Sequence, residues 1–161
     1  DTARGAPRQP PPQVHPRLGL LGPLAQHLLA PAKGAVELGV QVVVRPTRHT
    51  FGFMNEFDTF TLCSFPAKFR KDLALLGSRS GRDGDKIALT RLTPVKSAAV
   101  AAPSFKEADL VIECRKIYWQ DLDDRHFLSE KIAAQYPQMD FHRVFFGEIL
   151  RVRGSREFRR K

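Results

Sequence analysis

Ten residues from Gly77 to Lys86, GSRSGRDGDK, concentrate groups that can bind an anion. Three glycines permit positive φ and let backbone N–H groups converge on a negative charge. Ser78 and Ser80 add hydroxyl donors. Arg79, Arg82 and Lys86 add charge, and an arginine fork grips phosphate bidentately. Asp83 is placed to cap a short helix over Lys86–Thr90, whose N-terminus would favour the same anion. The segment is not a Walker A loop, because GxxxxGK[ST] is absent. Nor is it a nucleophile elbow, because Gly77–Gly81 reads GSRSG and lacks a central serine. Asp83 and Asp85 do not follow the calcium-loop pattern. A second cationic segment, RPTRHT from Arg45 to Thr50, ends a strand and opens a helix, so Arg45, Arg48, His49 and Thr50 are offered at a helix N-terminus. By spacing alone, the first segment suits a solvated Gly/Arg turn equally well, and the second, taken by itself, reads as an ordinary strand-to-helix turn with exposed arginines.

The elements that must position these residues begin near Gly39. Val40, Val42 and Val44 alternate with Gln41 and Arg45, which predicts a β-strand ending at Pro46. Arg48–Phe57 reads as a helix capped by Thr47, with Phe51 and Met54 on its apolar stripe. Thr59–Phe65 is a second strand. Pro66 opens the next helix, along which Phe69, Leu73 and Leu76 recur at helical spacing. Ala98–Phe105 is a connection of small residues. Leu110–Trp119 is a long strand, Ser129–Tyr136 a helix and His142–Arg153 the last strand. Gly147 interrupts that strand, which calls for a bulge or a close backbone approach.

The N-terminal part differs. Seven of the twelve prolines lie in the first 31 residues, which hold no Phe, Trp or Tyr. Gly5–Pro16 should therefore be extended and irregular, and a short helix fits Pro23–Leu29. The division expected is an atypical segment over 1–38, one domain over 39–153 and a basic tail over 154–161. Four strands with intervening helices suit an α+β barrel better than a doubly wound sheet. Any further strands must come from the first 38 residues.

Composition narrows the classes. The 161 residues suffice for one domain, and 42% hydrophobic residues with twelve Phe exclude a fully disordered chain. Lys and Arg number 26 against 17 acidic residues, a net charge of +9, so phosphorylated cofactors, nucleic acid and anionic surfaces are all plausible partners. No apolar run approaches the ~20 residues of a membrane span, and no secretory leader is visible, so a soluble cytoplasmic protein is expected. Cys63 and Cys114 stand far apart without a CxxC, which suits reduced thiols and neither a zinc module nor a disulfide scaffold. No metal site is expected.

Taken together, VVVRPTRHT, FTLCSFPAKFRKDLALLGSRSGRDGDK, TPV, EADLVIECRKIYWQDLD and DFHRVFFGEI strongly resemble the flavin-reductase-like proteins of the FMN-binding split-barrel fold. The order and spacing match from Gly39 to Arg153, about seventy per cent of the chain. The resemblance implies a mainly β, α+β architecture: a six-stranded Greek-key split barrel with flanking helices. It also implies a homodimer with FMN at the subunit interface and electron transfer through the flavin, with NADH or NADPH as donor. Carried onto this sequence, Arg45, Arg48, His49 and Thr50 fall at phosphate and ribityl contacts. Ser80, Gly81, Arg82 and Lys86 fall at the phosphate end. Cys63, Ser64 and Phe65 lie where the isoalloxazine is approached, and His142 falls on the nicotinamide side.

One departure stands out. The family pattern begins with a strand and an N-x-M-T-x-S-W-G segment that lines the flavin ring, whereas Asp1–Leu38 has no such motif. A divergent arm, a gene-boundary artefact and an out-of-frame translation are the alternatives for this Pro/Arg/Leu-rich stretch. Three functions follow: an FMN-dependent oxidoreductase, a non-catalytic flavin-binding relative, and a basic nucleic-acid-binding domain whose binding would be sequence-blind and salt-dependent.

Overall fold

The computed structural model describes residues 27–29 and 39–158. The expectations for Gly5–Pro16, and most of those for the N-terminal segment, lie outside the described residues; of the tail, 154–158 are described, and Arg156–Phe158 forms a 3-10 turn. Strand β1, His27–Leu29, pairs antiparallel with β2, Gly39–Val44. The helix expected over Pro23–Leu29 is thus replaced at its C-terminal end by a strand, whose backbone groups are drawn into the ladder with Gly39–Gln41. Helix α1 is His49–Glu56, β3 is Thr59–Ser64, and a 3-10 turn at Ala67–Phe69 leads into α2, Arg70–Ser78. A small ribbon pairs β4, Pro94–Val95, with β5, Ser104–Phe105. Strand β6, Leu110–Asp121, precedes the four-residue α3, Glu130–Ala133, and β7, Arg143–Gly154, closes the order.

The main sheet is a curled, antiparallel half-barrel in the order β1-β2-β7-β6-β3. Strands β2 and β3, separated in sequence only by α1, are therefore separated in space by the long β7–β6 pair. Five strands form this sheet among the described residues, where the family resemblance implied six.

Alternation along the strands sorts residues onto two apolar faces. On one, Val40, Val42, Val44, Phe60, Leu62, Ile112, Cys114 and Phe145 pack with Met54 of α1. On the other, Val111 packs with Phe69, Leu76, Ile87, Leu92, Phe105 and Ala108, so α2 and the chain that follows it cover that face. Burial of these side chains is the main term holding the layers together, at roughly 25 cal/mol per Å² of apolar surface. Asp72 fastens this covering layer: its carboxylate takes Arg91 N, Nε and Nη2 at 3.1, 3.1 and 2.6 Å. Glu113, also buried, accepts from the amides of Ala98 and Ala99 at 3.3 and 2.5 Å and so pins the small-residue connection.

Local signals were displaced in three places. The cap of α1 is Arg48, in extended backbone, and not Thr47; the Arg48 N–H donates to Arg45 O at 3.0 Å, and this turn delays the helix by one residue. No helix forms over Lys86–Thr90, and Asp83 caps nothing there. Asp85 accepts instead from the amides of Ile87 and Ala88 at 3.0 and 3.3 Å, and Asp72 captures the next amide but two, that of Arg91. The helix expected over Ser129–Tyr136 is α-helical only at Glu130–Ala133 and continues in turns to Tyr136, before Pro137.

Gly147 does not interrupt β7. It stands where an added Cβ would lie 2.5 Å from Phe60 Cζ and 3.1 Å from Cys114 Cβ. Both readings of this glycine hold: a close approach of Phe60, and a bulge in the facing strand, where Lys116 pairs with Gly147 and Tyr118 with Phe146. The register shifts of the β6–β7 ladder fall beside it, between Lys116 and Tyr118 and between Glu113 and Cys114. Gly147→Ala is expected to lower stability by ~1–3 kcal/mol through overpacking against the Phe60 ring; a urea titration with an unchanged midpoint would contradict this packing.

Candidate functional site

The two cationic segments, about thirty residues apart in sequence, meet in space. Gly81 lies so close to His49 that a Cβ there would sit 2.5 Å from the imidazole Cδ2. Arg82 reaches across and donates from Nη1 to Thr47 O at 3.0 Å. Its own amide donates to Ser80 Oγ at 3.2 Å, which curls the loop around the serine. Only Gly84 among the described glycines has a positive φ, at 138°, so Gly81 is needed for space and not for backbone conformation.

The corner is suited to an anion. Helix α1 has no side-chain cap and no acidic residue in its first turn, so its dipole favours a negative charge there; of its first amides, that of Phe51 is taken by Arg48 O at 2.9 Å. His49 Nε2 is buried and makes no hydrogen bond within the described residues. A buried polar atom normally has a partner, and here it faces the Gly81 cradle. Arg48 and Arg82 stand exposed beside it, with Thr50 half-buried on the first turn of the helix.

Lys86 is used differently. Its ammonium donates to Leu76 O at 2.7 Å and Arg79 O at 3.1 Å, the carbonyls at the C-terminal end of α2. Partial burial lowers its pKa. Lys86 thus satisfies a helix C-terminus and holds the loop's ends together. Arg45 is likewise occupied, with Nε and Nη2 forked onto Asp140 at 2.5 and 2.7 Å.

Cys63, Ser64 and Phe65 sit at the C-terminal end of β3, from which the Ala67–Phe69 turn and α2 lead to the anion corner. Cys63 and Phe65 pack against the second apolar cluster, and Phe65 lies edge-on to Phe69 and Phe105. Burial raises the Cys63 thiol and pushes Cys114 up to about 12, so both are protonated at neutral pH. That argues against Cys63 as a thiolate nucleophile.

His142 directs Nδ1 to Tyr136 Oη at 2.7 Å. Burial and the neighbouring cations Arg45 and Arg48 depress its pKa, with Asp140 opposing them. It is therefore mainly neutral at pH 7. Tyr136 also stacks on Phe127, with ring centroids 5.5 Å apart and planes 9° apart, and touches Phe141. Sequence reasoning missed Asp140 and Tyr136 as neighbours of Arg45, with Phe127 and Phe141 packed against Tyr136. No periodicity marks them, and contacts across about ninety residues have no local signature.

The chain matches the family described as "Flavin reductase like domain" over residues 37–160, and it belongs to that family. An uncharacterized protein of Archaeoglobus fulgidus is 28% identical over 111 residues, which cover 69% of this chain and 53% of that relative. The flavoredoxin of Methanosarcina acetivorans superposes with a TM-score of 0.63 at 19% identity, covering 84% of this chain and 60% of that one. The FMN-binding protein of Thermus thermophilus with bound p-hydroxybenzaldehyde gives 0.62 at 20% identity, with 84% and 65% covered. These likenesses establish the split-barrel fold. The chain spans about half the length of the curated relative and about three-fifths of these two solved structures.

Because Lys86 holds the end of α2, Lys86→Ala should cost ~1–3 kcal/mol of stability, the range for a hydrogen bond to a charged donor. Thermal unfolding identical to that of the parent would show that the Leu76 and Arg79 carbonyls do not need it.

Proposed function

We propose that this chain binds FMN, with the phosphate at the His49–Gly81 corner, and serves as a flavin-dependent oxidoreductase passing electrons between NADH or NADPH and the flavin or a redox partner. The observation that carries the reading is the unpartnered, buried His49 Nε2 set against the Gly81 cradle at an uncapped helix N-terminus. Family membership and similarity to a flavoredoxin and an FMN-binding protein support it.

The residues present fit the phosphate end of such a cofactor. His49, Thr50 and the first amides of α1 would hold it, with Ser80 and Gly81 forming the opposite wall and Arg48 and Arg82 neutralising its charge. Cys63, Ser64 and Phe65 would face its ring. When bound, FMN supplies the hydride and electron chemistry. The chain supplies binding, orientation and the surrounding charge. A neutral, tyrosine-bonded His142 beside Arg48 would shape the donor side without carrying a proton.

A flavin site of this kind is completed by a second copy of the chain, and a homodimer is part of the proposal. Ile117 and Trp119 are each more than half exposed on β6, an apolar pair suited to such contact. Light scattering coupled to gel filtration should give twice the monomer mass, and a strict monomer would remove this element.

Titration with FMN, followed by quenching of flavin fluorescence, tests the central reading. Arg82→Ala is expected to weaken binding by ~1–3 kcal/mol, as for loss of a charge-assisted contact. Equal affinity in the variant would take the phosphate away from this loop. FMN binding without any stimulation of NADH or NADPH oxidation would favour the non-catalytic flavin-binding alternative.

A further inference from the structure

We infer that Arg45 is a positioning residue that acts through Asp140, docking the excursion between β6 and β7 onto the β2–α1 turn and thereby setting the orientation of that turn's anion-binding groups. This rests on the proposed FMN reading and reassigns Arg45 from ligand to support.

The excursion, residues 122–142, has little regular structure: a 3-10 turn at Asp124–His126 and the single turn of α3. Its base is closed by Leu122 N–H donating to His142 O at 2.9 Å. Away from the base, Arg45 gathers it. The guanidinium forks onto Asp140, donates from Nη2 to Gln135 O at 3.1 Å, and lies 5.2 Å from the centroid of the Tyr136 ring. Tyr136 in turn joins Phe127, Phe141 and His142. One cation therefore engages a carboxylate, a carbonyl and an aromatic face of the same excursion. The pair is well protected, with 28% of the Arg45 side chain and 13% of the Asp140 side chain exposed.

The backbone of Arg45 belongs to the other side. It follows the last residue of β2, and its carbonyl accepts from Arg48 N to make the turn that precedes His49. The turn is thus held from two directions. Arg45–Asp140 pulls on its first residue, while Arg82 on Thr47 O and Gly81 on His49 press from the loop after α2. A lysine cannot reproduce the fork and the ring contact together.

The test compares Asp140→Asn and Arg45→Lys with the parent for FMN and for riboflavin, which lacks the phosphate. Hydrogen exchange is followed at the Arg48 and Phe51 amides. FMN affinity should fall about tenfold in each variant while riboflavin affinity stays constant, and the two amides should exchange about tenfold faster. Asp140→Glu should recover part of the preference for FMN. If the parent prefers FMN and Asp140→Asn keeps that preference with unchanged exchange, the inference is overturned. An equal loss for FMN and riboflavin also overturns it, since that is general loosening. If the parent binds no FMN, the flavin reading fails; the positioning of the turn is then judged by exchange alone, and unchanged protection in both variants sinks it. Should Asp140→Asn unfold, Arg45→Lys carries the same comparisons.

Discussion

The antiparallel pairing of β6 with β7 is the interaction on which everything else rests. Each strand is twelve residues long, and each borders the partner that completes one side of the sheet: β7 binds β2, and β6 binds β3. Because side chains alternate across the pleat, this ladder supplies both apolar faces at once. Cys114 and Phe145 go to one cluster and Val111 to the other. A slip of one residue would exchange those faces. Gly147 guards against it by allowing the Phe60 ring to enter where any side chain would collide. The shifts in register on either side accommodate the twist that two long strands accumulate.

Charge is distributed with a similar economy. Arg45, Arg91, Arg115, Arg125 and Arg143 all have their guanidinium on a carboxylate: Asp140, Asp72, Glu148, Asp123 and Asp121 respectively. All but Arg125–Asp123, which is local to one turn, join segments distant in sequence. Arg82, in contrast, spends one nitrogen on the Thr47 carbonyl, and Arg48 stands exposed on the same corner. The charges of Arg48 and Arg82 thus meet no carboxylate among the described residues, and the uncapped N-terminus of α1 adds to them. An anion arriving there meets donors already oriented by their contacts with one another.

Much of the framework could be read from residue patterns. The alternation of Val40, Val42 and Val44 marked β2, the run Thr59–Ser64 marked β3, and the helical spacing of Phe69, Leu73 and Leu76 marked α2 and its buried stripe. Both cationic segments announced themselves by composition. What failed were signals decided by competition between nearby groups. Asp83 is the expected cap, yet Asp85 takes the amides of Ile87 and Ala88, and Asp72, at the other side of the loop, holds Arg91. Lys86 and Arg45 look like phosphate ligands in a string of cationic residues. Nothing local discloses that helix carbonyls and Asp140 have taken them.

The chain alone therefore determined which stretches form strands and helices and where cationic chemistry concentrates, since periodicity, β-branching and glycine content act over a few neighbouring residues. Its tertiary structure decided which of those cations serve as fasteners, as Arg45 and Lys86 do, and which stand exposed at the His49–Gly81 corner, as Arg48 and Arg82 do. That division depends on distance in space: Gly81 meets His49 from the loop after α2, and Arg45 meets Asp140 because the end of β2 pairs with the start of β7 at Val44 and Arg143.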